Sequence, residues 1–167
     1  MKAWKDRCIE EANLFNPAFI CIISYQCIKG YCETAQGGTP YILPFVVTPL
    51  ILHKNTRESL PKNVNAIVSS WITNIDHSHV RIGYPERVQS IVPYVKESLS
   101  FALINKLIEV DNDGSLYVNQ NVKIPSTINH DTSGEVIGCY NRALFCGRWF
   151  AKSGNIETIL ALLGVRP

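Results

Sequence analysis

Residues 41–52, Tyr-Ile-Leu-Pro-Phe-Val-Val-Thr-Pro-Leu-Ile-Leu, constrain the chain more than any other stretch: they are uncharged, almost wholly apolar and interrupted by Pro44 and Pro49. Such a run has to be buried. The prolines exclude a central strand, because each lacks the N–H that a ladder requires. They also exclude a straight helix, since proline is tolerated only in the first turn. The spacing predicts a buried helix starting near Pro40, with Thr39 as its cap, and kinked or ended near Pro49. At ~1.5 Å per residue it is too short to cross a bilayer.

The elements around this run follow from periodicity and punctuation. Residues 3–12 read as a short helical lead-in. Asn16-Pro17 is a cap followed by a first-position proline. The helix it opens is expected to run to about Gly30, a left-handed stop. A polar break covers 53–61. Val64, Ile67, Val68, Trp71, Ile72 and Ile75 then lie on one face of a helix over roughly 62–75. A short helix is expected over 85–91, restarted at Pro93, with an apolar face continuing to about 107. The clearest local signal follows. Leu107–Val110 and Leu116–Val118 flank Asp-Asn-Asp-Gly, which predicts a β-hairpin. A helix running straight into a hairpin is how a winged-helix unit ends. Residues 119–133 read as polar loop, with an extended piece near Val122–Ile124. Helices are expected over about 134–151 and 156–163, the last stopped by Gly164.

The expected fold class is therefore mainly α (α+β). It is a single domain, 1–167, with a winged-helix-like unit at about 62–118 whose C-terminal hairpin is the wing. N-terminal helices (4–52) and C-terminal helices (134–164) frame it.

Composition narrows the function. The chain has 167 residues, 46% hydrophobic and 18% charged, with a net charge of +2. Disorder needs the opposite balance, and a nucleic-acid coat protein needs a large positive field. Met1–Arg7 is charged and leads into no apolar run, so no secretory signal is expected. Cys8, Cys21, Cys27, Cys32, Cys139 and Cys146 sit mostly among apolar neighbours and are expected to be reduced thiols in a cytoplasm. Low charge in so apolar a chain suggests that another chain covers part of its surface.

Catalytic signals are weak. Asp76-His77-Ser78-His79 lacks a second ligand pair to complete a metal shell. Cys27 and Cys32 are too far apart for a redox pair. Asp111–Gly114 has the wrong spacing for calcium and reads as a turn. No phosphate loop or nucleophile elbow is present. No catalytic residue, metal or cofactor is expected. For DNA, the helix before the hairpin offers Lys96, Asn105 and Lys106, but Asp111 and Asp113 make the wing tip acidic, which repels phosphate. Two readings of 53–61 stay open. One is a surface loop with an exposed Lys54–Glu58 pair; the other is a basic contact with a partner through His53, Lys54 and Arg57. Arg148, Trp149 and Arg166 pose the same question, since Trp and Arg anchor interfaces.

Several segments together carry a resemblance: Glu11–Phe19, the Leu-Pro run from Leu43 to Pro61, Arg81–Arg87, Gly147-Arg148-Trp149-Phe150 and Leu163–Pro167. In this order they resemble the middle component of bacterial three-component ABC ATPase systems (ABC-3C), the broad group that includes Lamassu-type antiphage defence. The resemblance covers nearly the whole chain. It implies a non-catalytic adaptor, often of winged-helix type, between an SMC-like or Rad-like ABC ATPase and an effector, frequently a nuclease. It adds weight to His53, Lys54, Thr56 and Arg57 as partner contacts. The alternative is an autonomous DNA-binding winged-helix regulator. No membrane partner is expected.

Overall fold

The structure is a computed structural model that describes residues 4–74, 82–122, 124 and 133–166. A 3-10 turn (Trp4–Asp6) and α1 (Ile9–Leu14) lead into α2 (Pro17–Ala35). The Asn16 side chain caps α2 by accepting the Ala18 N–H at 2.9 Å, as its sequence predicts. However, α2 does not stop at Gly30. It ends at Gln36, whose φ of 52° lies in the left-handed region. Gly30 has another role. A Cβ there would strike the Leu144 carbonyl on α7 (Gly134–Lys152), and a Cβ at Gly147 would strike the Cys27 carbonyl on α2. These two glycines let α2 and α7 cross almost backbone to backbone, in the most extensive helix pairing of the fold.

α3 spans Leu43–Leu52, starting later than Pro40 and passing through Pro49 without ending. Pro44 lies in its first turn, where the missing N–H costs nothing. Residues 43–51 are all buried, which explains why the run is apolar on every side. The expected polar break begins with a short helix, α4 (Lys54–Ser59), and the expected 62–75 helix shrinks to α5 (Val68–Thr73). Ile75 and the Asp76–His79 segment lie outside the described residues. α6 (Tyr84–Ile104) is one continuous helix, not a short helix and a restart. Pro93 sits inside it on the exposed side, and Gln89, whose carbonyl it leaves without an amide partner, is exposed as well. α6 closes with the Leu107 N–H on the Ala102 carbonyl and the Lys106 N–H on the Leu103 carbonyl, a Schellman end with Lys106 at φ 55°.

The hairpin forms where expected: β1 (Ile108–Val110) pairs antiparallel with β2 (Leu116–Val118), Glu109 opposite Tyr117. In its turn, Asp111 Oδ1 accepts the N–H groups of Asp113 and Ser115, and Gly114 takes φ 80°. Leu116 exchanges two backbone hydrogen bonds of 2.8 Å with Thr39, which ties the hairpin to the end of α2. No strand forms at Val122 or Ile124, and Lys123 lies outside the described residues. α7 and α8 (Ile156–Leu163) form as expected, and Gly164 stops α8 at φ 71°.

Two apolar clusters meet across α2 and α3. One joins Ile23, Val46, Leu50, Trp71, Tyr84, Trp149, Phe150 and Ile159. The other joins Ile20, Ile28, Phe45, Ile91, Val95, Leu99, Ile108 and Leu116. The chain is thus mainly helical with a two-stranded hairpin. The described residues of 62–118 contribute to both clusters together with α2 and α3.

Candidate partner-docking surface

His53 joins α3 to α4. It ends the first helix and caps the second: Nδ1 accepts the Thr56 N–H at 3.3 Å and lies 2.8 Å from Thr56 Oγ1. Thr56 is fully buried by this cap. Arg57 turns inward as well and is only 6% exposed. Its guanidinium donates to the Ile51 carbonyl at 2.6 Å and to Glu135 Oε1 at 2.9 Å. Ile51 lies in the last turn of α3, where carbonyls have no intrahelical partner, so Arg57 acts as that helix's C-terminal cap. Glu135 lies in the first turn of α7, where a carboxylate also suits the helix dipole. The Arg57 hydrogen bond, then its charge, holds the Glu135 carboxyl below the usual range.

Of the residues marked by sequence in this segment, only His53 and Lys54 are exposed, while Thr56 and Arg57 bind the chain to itself. The Lys54–Glu58 pair of the surface-loop reading is not among the salt bridges of the described residues; Arg57–Glu135 ties α4 to α7. Trp149 is fully buried. Its indole N–H donates to the Ala66 carbonyl at 2.7 Å, and its ring meets Trp71 edge to face at 5.3 Å. Trp71 in turn donates to the Ser59 carbonyl at 2.8 Å. The two tryptophans clasp the 59–66 connection against α7. Arg148 stays on the surface and pairs with Glu33 at 2.9 Å, bridging α7 and α2. Arg166 is exposed beside α8, in an open cleft of about 430 Å³ with Glu157, Leu160 and Val165.

The sequence reading missed Arg142 and Glu135. Both belong to one face of α7, seven residues apart, with Gly138 between them. That spacing was a legible signal. They meet Lys54, Arg57 and Glu58 around an open groove of about 440 Å³ floored by Gly134 and Gly138. Arg142 donates to the Pro61 carbonyl at 3.1 Å and lies over the Phe145 ring. Among the described residues, neither Lys54 nor Arg142 forms a salt bridge, although the Lys54 charge also helps to hold the Glu135 carboxyl down.

Cys139 lies behind this site, its Sγ 4.0 Å from the Ile51 carbonyl. Burial pushes Cys146 up to about 12 and Cys21 to about 11, and it raises Cys27 well above its ordinary value. Cys32 lies against Thr39 while Cys27 lies in the first core, so the pair faces two different places. Among the described residues, no helix is long and apolar enough to cross a membrane. Comparison with curated proteins and with solved structures gives no match. The family model described as "ABC-three component (ABC-3C) system Middle Component 3" matches residues 4–167, and the chain belongs to that family.

Proposed function

We propose that this chain is a non-catalytic adaptor of a bacterial antiphage defence complex, working in the cytoplasm. It docks on an SMC-like ABC ATPase and positions an effector such as a nuclease, and it reaches DNA through the complex. The match to the middle-component family over residues 4–167 carries this reading. Two features support it. The core thiols are held protonated, which disfavours nucleophilic work at neutral pH. The two openings described above are lined by charged side chains of both signs. His53, Lys54, Arg148 and Arg166 are the exposed residues offered to partners. Thr56, Arg57 and Trp149 hold that surface in place from beneath. The test is to purify the chain with the products of its neighbouring genes. An ATPase subunit is expected to co-purify. A chain that stays alone would end the adaptor reading.

A second reading is an autonomous winged-helix regulator, with α6 leading into the hairpin as a wing. The direct run from α6 into β1 favours it. The acidic hairpin tip opposes it, because a wing on the DNA backbone needs cations. Tight, salt-dependent binding of duplex DNA by the isolated chain would select this second reading.

A further inference from the structure

The groove between α4 and the start of α7 has an arrangement of charge that the docking reading leaves unused. Arg57 and Glu135 neutralise each other at 2.9 Å. Lys54, Arg142 and a second acid, Glu58, complete the charged lining, and the Lys54 charge also acts on Glu135. Lys54 makes no ion pair or hydrogen bond among the described residues, and Arg142 spends one N–H on the Pro61 carbonyl. The groove floor is open. A Cβ at Gly134 would meet nothing within 4 Å, and one at Gly138 would only reach Arg57 Nε at 4.0 Å. Backbone from another chain could therefore come close to α7 at Gly134 and Gly138.

We propose that this groove receives a carboxylate side chain, Asp or Glu, from a partner polypeptide, held between Lys54 and Arg142. The inference rests on the adaptor reading and names the chemistry of the contact. The Arg57–Glu135 pair already demonstrates guanidinium–carboxylate recognition inside the groove. Charge complementarity favours one carboxylate over a phosphate chain. A nucleic-acid strand brings a charge at every step and would run past Glu58 and Glu135, whereas an isolated carboxylate matches the single charge by which the three cations of the lining exceed its two acids. Arg142, resting on the Phe145 ring and fixed by its Pro61 bond, is the pre-oriented half of the clamp. Lys54 is the mobile half.

The test uses the full chain and three variants: Lys54→Glu, Arg142→Gln, and Lys96→Glu as a charge-matched control on the exposed face of α6. The probes are a fluorescein-labelled Gly/Ser peptide carrying a single Glu and a labelled duplex DNA, titrated by anisotropy at low ionic strength, where surface charges are least screened. The peptide is expected to bind saturably. Lys54→Glu should weaken it about fivefold or more, Arg142→Gln similarly, and Lys96→Glu should leave it unchanged. Equal peptide binding by wild type and Lys54→Glu, or no saturable binding, overturns the proposal. Duplex DNA binding that depends on Lys54 and Arg142 overturns it in favour of a phosphate site. Capture of the neighbouring gene products separates the two levels. Capture that survives both groove variants overturns the groove contact and leaves the adaptor reading intact. If wild type captures nothing, the adaptor reading fails, and the peptide titration still decides whether the groove takes a carboxylate.

Discussion

Replacing Arg57 with alanine removes the cap of α3, and the structure sets the size of the effect. The side chain is buried and donates at 2.6 Å to the Ile51 carbonyl, on a residue with no exposed surface. Without it, that carbonyl keeps only a weak approach from Cys139 Sγ at 4.0 Å. Leaving a buried acceptor unsatisfied costs about 1–3 kcal/mol, and a hydrogen bond from a charged donor lies at the upper end. Glu135 adds little, because its side chain is 58% exposed and water replaces its partner. The expected loss is about 2–3 kcal/mol. For a chain of this size that lowers the thermal midpoint by about 5–10 °C, read by circular dichroism at pH 7. Glu135→Gln should move the midpoint far less. Both sequence readings of 53–61 place Arg57 on the surface instead. A midpoint within about 1 °C of wild type would refute the capping argument.

Alkaline pH should destabilise the fold. Cys146, Cys21 and Tyr84 have raised values in the folded state, so the unfolded chain releases their protons first. Their contribution is complete below the ordinary thiol value of 9.0 and is lost as pH climbs toward about 12. Denaturant midpoints measured from pH 8 to 11 should fall steadily, and a flat profile would contradict the burial of these groups. Gly30→Ala and Gly147→Ala should each cost about 3 kcal/mol or prevent soluble expression, since the new methyl meets backbone that cannot yield; near-native melting would show that α2 and α7 can separate. Ellman's reagent at neutral pH should react rapidly with exposed Cys8 and reach Cys21, Cys27, Cys139 and Cys146 only after unfolding. Fast labelling that survives Cys8→Ser would refute that order, provided half-buried Cys32 is also replaced.

Much of this protein is written locally. Asn16-Pro17, the Asp111–Gly114 turn and Gly164 each act through their own backbone within a few residues, so the helix start, the hairpin and the final stop are readable from the chain alone. Order and motif across the whole length also pointed to the ABC-3C middle components. Other features depend on what lies opposite in space. Gly30 looks like a helix stop until α7 is seen crossing it, and Pro93 looks like a break until its exposed side is seen to face water. Arg57 reads as a surface cation until Ile51 and Glu135 are brought to it from 6 and 78 residues away. The groove with Arg142 exists only because α4 and α7 meet. Backbone propensity and capping are local energies, whereas burial and charge pairing are set by neighbours that the fold alone supplies.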